Sequence, residues 1–373
     1  MRYVTLGDVC KKASSNVAQK DILSNDGKYP IYGASGRIKT VNFYHQEQAY
    51  IAIVKDGAGV GRTMLLPEHS SVIGTMQYII PNELVDIKYL YYAIVYMDLA
   101  KYYRGAAIPH IYFKDYQKEL LKLPMLSEQR RIAAIFEKID SIIKRRNLQL
   151  VQLEQAVKSR FIELFGNSEH NTKRWSIAKL SSLCNVGSSK RIYQSELTET
   201  GIPFLRISDL NEKIDGKKNT PQLFIPNDKY EELQTNGLVP SVEDVLVTAR
   251  GTLGKCYIIK PNDTFYFQDG MISWLSDINE SITSLYISYL FSTTGVQKQI
   301  ANLQAGSTVA YLSIAMLKNL DIMIPPKALQ QQFAAFVAQT DKSKYYSQKF
   351  LTLCRSAVNI YEQEWMKCQT LIF

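Results

Sequence analysis

The sequence contains one arrangement twice, and this internal repeat limits the possible folds more than any other feature. GAAIPHIYFKDYQKELLKLP at 105–124 and GSTVAYLSIAMLKNLDIMIP at 306–325 both run from Gly to Pro over twenty residues, 201 positions apart. The same offset continues without gaps through Gln129 and Gln330. A repeat of this size indicates two related structural units rather than one ordinary domain.

The earlier parts of the two copies match in the same order, although with other offsets. VTLGDVCKKAS (4–14) parallels AKLSSLCNVGSS (178–189), and AYIAIVKDGAGVGRTMLL (49–66) parallels DVLVTARGTLGKCYII (244–259). The second globular part is longer by about thirty residues. The repeat predicts four segments, in the order globular part, helix, globular part, helix: 1–126, 127–166, 172–327 and 328–366.

The two segments that follow the globular parts have the apolar spacing of a coiled coil. Steps of four and three from Ile132, and the same steps from Phe333, meet mostly apolar side chains, with weaker places at Arg146 and at 344–347. Two unrelated amphipathic core helices are the alternative. The predicted seam consists of Ile132, Phe136, Ile139, Ile143, Leu150, Leu153, Val157, Phe333, Val337, Leu351, Val358 and Trp365.

Each globular part combines strand and helix patterns. Residues 49–66 and 242–260 each read as two strands joined by a glycine turn. Residues 86–103 and 283–303 have helical spacing and composition. The sequence therefore predicts an α+β fold, with two tandem mixed α/β domains that are each followed by a long helix.

GAGVG at 57–61 is the one motif that suggests an enzyme, because a glycine-rich turn between a strand and a helix can hold a nucleotide or S-adenosylmethionine. The residues after it, 62–66, continue as a strand, and the second copy has GTLGK at 251–255. A hairpin turn is therefore favoured over a cofactor loop. No amino-methyltransferase [ND]PP[YF], Walker GxxxxGK[ST] or GxSxG motif occurs. We expect no catalysis by this chain alone.

Composition excludes several other classes of protein. Apolar residues make up 46% and charged residues 21%, without a run of about 18 uncharged apolar residues or a signal-peptide core, so we expect a cytoplasmic protein with no membrane association. The five cysteines form no CxxC pair and only four histidines occur, which predicts reduced thiols and no metal site. A net charge of +9 favours a polyanionic partner, although a basic protein without one has the same balance.

Donor side chains cluster near the repeated turns, where positioned loops could contact base edges and phosphates. For each of them a solvated surface side chain is the alternative, and Arg206 has a structural ion pair with Asp209 as another. Tyr91, Tyr92 and Tyr96 lie at helical spacing and are predicted to belong to the core. The DNA-binding candidates are Arg37, Lys39, Lys55, Arg62, Arg104, His110, Tyr112, Lys114, Lys190, Arg191, Arg206, Arg250, Lys255, Gln304, Ser307, Thr308 and Tyr311.

Six segments in a fixed order carry a resemblance to a known family: YPIYGASGRI (29–38), GAAIPHIYFKDYQKELLKLPML (105–126), SEQRRIAAIFEKID (127–140), GIPFLRISDL (201–210), DVLVTARGTLGK (244–255) and GSTVAYLSIAMLKNLDIMIPP (306–326). Through them nearly the whole chain resembles the specificity subunits of type I restriction–modification systems, in the family's order of recognition domain, helix, recognition domain, helix. The first copy departs from the family at GAAIPHIYF, where a GST-type segment is usual, and the second helix begins ALQQQFAAFVAQ without the usual charged side chains.

The resemblance implies that each recognition domain reads one half of a split, asymmetric site in double-stranded DNA. The two helices would form an antiparallel coiled coil, in a pseudo-twofold, circular arrangement, and set the unread gap between half-sites about one DNA turn apart. They would also dock two methyltransferase subunits, which supply S-adenosylmethionine and the adenine methylation chemistry. Two restriction subunits that use ATP and Mg²⁺ would complete the assembly, and this chain itself would hold no cofactor.

Two other classes of function remain open at the level of sequence. A self-sufficient DNA methyltransferase or nuclease predicts cofactor binding by the isolated chain, which the missing motifs argue against. A coiled-coil scaffold unrelated to DNA predicts no sequence-dependent binding, and it leaves two large, divergent globular copies unexplained.

Overall fold

The computed structural model describes residues 2–105, 108–217, 220–304 and 310–366, with side chains described as far as Asn359. The chain divides into two compact units, Met1–Gln149 with Ser347–Phe373, and Leu150–Tyr346. Each unit contains one copy of the globular part together with a segment of both long helices.

The first copy begins and ends with paired strands and leads into a long helix. Its strands β1 to β9 are Arg2–Thr5, Cys10–Ser14, Tyr29–Gly33, Gly36–Val41, Tyr50–Val54, Thr63–Leu66, Ser71–Val72, Met76–Pro81 and Leu120–Leu123. Its helices α1 to α4 are Leu6–Val9, Ile87–Tyr96, Phe113–Tyr116 and Leu126–Phe165. Short 3₁₀ turns lie at Gln19–Ile22 and Leu99–Tyr102.

The second copy follows the same order with two additional helices. Its strands β10 to β18 are Ser176–Lys179, Asn185–Ser188, Ile202–Leu205, Phe224–Ile225, Val245–Thr248, Cys256–Ile258, Tyr266–Phe267, Ile272–Ser276 and Asp321–Ile324. Its helices α5 to α10 are Ile207–Ile214, Asn227–Thr235, Ser284–Phe291, Thr294–Leu303, Ile314–Lys318 and Lys327–Met366. Short 3₁₀ turns lie at Leu180–Ser182 and Gln194–Glu196.

The strands pair identically in the two copies, which confirms the repeat. The sheet β2-β8-β5-β6 corresponds to β11-β17-β14-β15, and β4-β3-β7 corresponds to β13-β12-β16. In both copies the first and last strands form an antiparallel pair, whereas β3 with β7 and β12 with β16 are parallel. Helices α5 and α6 have no counterpart in the first copy and account for the greater length of the second.

Both hairpins predicted from the sequence are confirmed. β5 pairs antiparallel with β6, and β14 pairs antiparallel with β15. The GAGVG segment forms the turn of the first hairpin, with positive φ angles of 92° at Gly57 and 85° at Gly61. No helix follows it, so the segment does not have the geometry of a nucleotide-binding loop.

The two shorter helical predictions were wrong in one respect, because each segment is interrupted. Within 86–103, helix α2 ends at Tyr96 and Asp98 adopts a left-handed φ of 45° before a 3₁₀ turn. Within 283–303, α7 ends at Phe291 and α8 starts at Thr294, where Thr293 Oγ1 donates to the Leu290 carbonyl at 2.6 Å. Short polar side chains that bond to the nearby backbone compete with helix continuation.

A buried glutamine joins each long helix to the domain before it. Gln129 Oε1 accepts the Asp86 N–H at 2.7 Å, and its Nε2 donates to the carbonyls of Leu84 and Pro124. Asp86 caps α2 in turn through the N–H groups of the first helical turn. The glutamine thereby fixes the start of α4 against the start of α2.

Gln330 makes the equivalent contacts in the second copy. Its Oε1 accepts the Thr283 N–H at 2.9 Å, and its Nε2 donates to the carbonyls of Ser281 and Pro325. Thr283 caps α7 as Asp86 caps α2. The repeat offset that joins Gln129 and Gln330 in the sequence therefore reflects a shared structural role.

The long helices α4 and α10 each contain 40 residues and pack antiparallel in both units. In the first unit Ile132 lines a small apolar cavity with Val358, whereas Arg146 stacks on the Phe350 ring at 5.4 Å. In the second unit Phe165 contacts Phe333 at 5.6 Å between ring centres. As the residue numbers increase along α4, the numbers of the α10 residues that they contact decrease, as expected for antiparallel helices.

The predicted seam residues lie on this helix pair, with side chains that differ in burial. Tyr92 stacks on Phe136 at 5.1 Å, and Tyr96 lies 5.3 Å from the same ring, which confirms the core placement of these tyrosines. The side chain of Trp365 lies outside the described residues. Buried seam residues are Phe136, Val157, Phe333, Val337 and Leu351, and half-buried ones are Ile132, Ile139, Ile143, Leu150, Leu153 and Val358.

Candidate nucleic-acid interface

Several donor side chains of the first copy meet at one end of its four-stranded sheet. β5 runs antiparallel to β6 and β8, so the end of β5 lies beside the starts of the other two strands. Lys55 and Asp56 follow β5 directly, and Arg62 precedes β6. The Lys55 N–H donates to the Thr75 carbonyl at 3.0 Å, which attaches this turn to the start of β8.

The loop before α3 is held against this turn by backbone hydrogen bonds. The Gly57 N–H donates to the Pro109 carbonyl at 2.9 Å, and the Ile111 N–H donates to the Lys55 carbonyl at 3.0 Å. Arg104 and His110 exchange both backbone hydrogen bonds at 2.8 Å. The loop therefore places His110 next to the residues that end β5.

Asp56 links the turn to the loop through its carboxylate. It accepts from Lys55 Nζ at 2.7 Å, and its other oxygen lies 2.7 Å from His110 Nδ1. Partial burial acts to raise the pKa of Asp56, but the hydrogen bonds from Lys55 and His110 outweigh it and lower the pKa below its ordinary value. The carboxylate is therefore ionised at neutral pH and can only accept, so Nδ1 of His110 must carry the proton.

The other first-copy candidates have various partners. Arg62 Nη1 donates to the Ala34 carbonyl at 2.7 Å, Arg104 lies 3.3 Å from Asp115, and Lys39 pairs with Asp26 at 2.7 Å. The Lys114 ammonium lies 5.5 Å from the Tyr112 ring centre, and that ring stacks with His110. Arg37 is exposed near the start of β4.

We call this end of the sheet, where Asp56 after β5 meets His110, the corner of the first copy. The second copy has an equivalent corner with different side chains. Ala249 and Arg250 follow β14, and the Leu312 N–H donates to the Ala249 carbonyl at 2.9 Å. Arg250 and Tyr311 form a single antiparallel bridge, as Asp56 and His110 do in the first copy. Where the first copy has a carboxylate and an imidazole, the second has a guanidinium and a phenol ring.

Contacts at this corner orient Arg250. Its guanidinium lies 5.4 Å from the Tyr311 ring centre, a cation–π geometry. Gln304 Nε2 donates to the Tyr311 carbonyl at 2.8 Å, which ties Tyr311 to the end of α8. Arg250 is exposed and forms no ion pair with any carboxylate in the described part of the chain.

The other second-copy cations are paired with carboxylates. Lys255 Nζ lies 2.9 Å from Asp215, and this contact lowers the pKa of the exposed Asp215 carboxyl. Exposed ion pairs of this kind are weak, so they can open when a phosphate competes for the cation. The remaining pairs are Arg191 with Asp269 at 2.9 Å, Lys190 with Glu232 at 3.6 Å, and Arg206 with Asp209 at 3.8 Å.

The structure thus brings most of the predicted DNA-binding residues to equivalent corners, but it surrounds them with carboxylates that the sequence analysis did not consider. Asp56, Asp115, Asp215 and Asp269 were missed because only donor side chains were sought. Aligning GAGVG with GTLG would have placed Asp56 opposite Arg250. Ser307 and Thr308, also predicted to bind DNA, lie outside the described residues.

Among the described residues, no group of three or more His, Cys, Asp or Glu side chains could hold a metal ion. No helix among them is long and apolar enough to cross a lipid bilayer.

Comparison with known proteins points to one family. A model of the type I restriction modification DNA specificity domain matches residues 1–155 and again 172–349. The specificity subunit of the type I restriction enzyme MjaVIII from Methanocaldococcus jannaschii is 27% identical over 284 residues, which cover 70% of this chain and 64% of that protein. S.HindORF215P of Haemophilus influenzae, assigned as a type I restriction enzyme specificity subunit, is 23% identical over 345 residues, 86% of this chain and 83% of that protein.

Solved structures share the fold over the whole length. The type I restriction–modification S subunit of M. genitalium matches with a TM-score of 0.63 at 15% identity, covering 98% of this chain and 95% of the other. A chain from a structural study of type I R-M complex assembly and conformational transition matches with a TM-score of 0.51 at 16% identity, covering 98% and 96%. Because the family model covers both globular copies and much of both long helices, the chain belongs to the family of type I restriction–modification DNA specificity subunits.

Proposed function

We propose that each copy of the globular part reads one half of a bipartite, asymmetric site in double-stranded DNA. The observation that carries this proposal is that the two copies have the same fold but different side chains at the corner. The strand order is the same in both copies, yet Asp56 with His110 in one corresponds to Arg250 with Tyr311 in the other. Two copies that present different side chains at the same position should recognise different bases.

Exposed cations in each copy are suited to phosphate contacts. Arg37, Arg62 and Lys114 in the first copy, and Lys190 and Arg206 in the second, are exposed. Contacts to phosphate fix the position of a protein on DNA without reading its sequence. Neutralising these cations should weaken binding to all sequences alike and reduce its dependence on salt.

The long helices fit the role of a spacer and of a docking surface for methyltransferase subunits. A helix of 40 residues is about 60 Å long, more than the roughly 34 Å of one DNA turn. In this proposal two methyltransferase subunits bring S-adenosylmethionine and transfer the methyl group, and restriction subunits with ATP and Mg²⁺ complete the assembly. The chain itself supplies the DNA sequence specificity and needs no cofactor of its own.

The test is co-expression of the chain with its cognate methyltransferase subunit in a methylation-free host, followed by genome-wide mapping of methyladenine. We expect a split, asymmetric motif that disappears when this chain is omitted. A correctly assembled complex that produces no motif would contradict the proposal and favour a scaffold without sequence-dependent binding.

Exchange of residues 172–327 for another recognition domain tests whether the readers are independent. We expect the new motif to differ in one half only, because each half would depend on one copy. A motif altered in both halves would contradict independent reading. Insertion of one heptad in α4 should change the gap or prevent assembly, and full activity with an unchanged gap would contradict the spacer role.

A further inference from the structure

The residue that follows the central strand occupies the same place in both copies but carries the opposite charge. Asp56 follows β5 and Arg250 follows β14, and each is bridged to a loop residue, His110 or Tyr311, at the repeat offset of 201. The Ile111 N–H donates to the Lys55 carbonyl and the Leu312 N–H to the Ala249 carbonyl, so His110 and Tyr311 are attached to the two strand ends in the same way. The scaffold therefore presents one pair of side chains at a defined position in each copy.

In the second copy this position presents a cluster of hydrogen-bond donors. The Tyr311 ring supports the Arg250 guanidinium, whereas the other predicted DNA-binding cations described in this copy are drawn toward carboxylates. Arg250 itself is exposed. Its guanidinium fork is therefore accessible, and it matches the O6 and N7 acceptors of guanine in the major groove.

In the first copy the same position presents an acceptor. The ionised Asp56 carboxylate requires a proton on Nδ1 of His110, and in the tautomer that carries its proton there Nε2 has the lone pair. No group among the described residues hydrogen-bonds to Nε2, and the His110 side chain is 38% exposed. An acceptor at this point matches the exocyclic amine of adenine or cytosine.

We propose that these equivalent positions determine base specificity, with Arg250 reading guanine in one half-site and His110, oriented by Asp56, reading an amino group of adenine or cytosine in the other. The inference rests on the proposed function, since it assigns residues to a reading step that the proposed function requires. Arg250 and His110 would contact the bases, and Asp56 would act as a positioning residue.

The first experiment compares methyladenine maps of the complex that contains wild-type chain, Arg250→Ala, Arg250→Lys or Lys318→Ala. We expect Arg250→Ala to relax one G·C position in one half-site, with roughly 5-fold to 100-fold loss of preference. Arg250→Lys keeps the charge but not the fork and should relax the same position. Lys318 is an exposed lysine at the end of α9, and its replacement should leave the motif unchanged.

The second experiment makes the matching changes in the first copy. His110→Ala and Asp56→Asn should both relax a single adenine or cytosine position in the opposite half-site. Asp56→Glu keeps an ionised acceptor for Nδ1 and should retain most of the preference, which a merely structural role of the carboxylate would not predict. Thermal unfolding of each variant checks that the loss of preference does not come from loss of the fold.

The possible results separate this inference from the proposed function. A bipartite motif that stays unchanged in Arg250→Ala and His110→Ala would overturn the inference and leave bipartite reading intact. Relaxation of both half-sites by one substitution would also overturn it. If the wild-type chain directs no motif, the proposed function fails, and the inference fails with it.

Discussion

Gln129 in the first copy and Gln330 in the second make the same hydrogen bonds, whereas Asp56 and Arg250, which also hold equivalent positions, carry opposite charges. The interior supports of the duplicated domain have been kept, and the side chains at the strand ends have changed. A buried amide with several partners cannot be replaced without leaving polar groups unsatisfied, but a side chain that reaches solvent, as the half-buried Asp56 and the exposed Arg250 do, can change at a lower cost in stability. The comparison therefore separates residues that maintain the fold from residues that are available for recognition.

The largest expected effect concerns the two glutamines. Gln129→Ala and Gln330→Ala should each lower the free energy of unfolding of their own unit by about 2–4 kcal/mol, because each leaves a buried N–H and two carbonyls without their partner. Urea denaturation measures the loss. Gln332→Ala, at an exposed position of α10, is the matched control and should change stability little. If only one of the two substitutions lowers the free energy of unfolding, the equivalent hydrogen bonds do not contribute equally to stability.

Alanine substitutions in the two equivalent glycine turns should lower the free energy of unfolding by different amounts. Gly61 and Gly254 are equivalent and have positive φ, but a Cβ atom at Gly61 would lie 2.7 Å from the Ala100 backbone nitrogen, whereas at Gly254 it would first meet the Ile300 side chain at 2.8 Å. We expect Gly61→Ala to cost about 2–3 kcal/mol and Gly254→Ala about 1–2 kcal/mol, because backbone yields less than a flexible side chain.

Gly57→Ala is the control for the glycine turns. It has a positive φ of 92° and open space around it, so only the conformational strain of about 1 kcal/mol applies. Thermal unfolding of the three variants gives the order. Equal losses for Gly57→Ala and Gly61→Ala would mean that the contact with Ala100 contributes nothing.

The smallest effect should distinguish two buried tyrosines that follow the same helix cap. Tyr89 Oη donates to the Lys122 carbonyl at 2.6 Å, whereas the buried Tyr286 Oη has no hydrogen-bond partner among the described residues. Tyr89→Phe should cost about 1 kcal/mol, and Tyr286→Phe should be neutral or stabilising by up to about 1 kcal/mol. Chemical denaturation of the two variants decides, and a destabilised Tyr286→Phe would show that its hydroxyl has a partner in solution.

Much of the scaffold follows from the sequence because its signals are periodic or local. The offset between 105–124 and 306–325 predicts the duplication, and the glycine turns predict both hairpins. The interruptions of the two shorter helices were missed, because apolar spacing continues across Asp98 and Thr293 although the backbone does not stay helical. Periodicity reports which side faces the core, and it is insensitive to a local break.

The candidate site was predicted less completely. The donor residues near the turns were found, but the pairing of Lys255 with Asp215 spans 40 positions, and that of His110 with Asp56 spans 54. Neither spacing follows from a helical or strand period. A local sequence pattern therefore does not predict which cations pair with a carboxylate and which remain free.

The sequence by itself determined that the chain is a duplicated α+β domain with two long helices, because repeat order, apolar spacing and turn residues act over short distances. Only the tertiary structure decided that Arg250 has a ring beneath it and no described carboxylate beside it, whereas His110 is oriented by Asp56. The physical reason is that the charge and hydrogen-bonding state of a side chain depend on neighbours within a few ångströms, and folding brings these neighbours from distant parts of the chain.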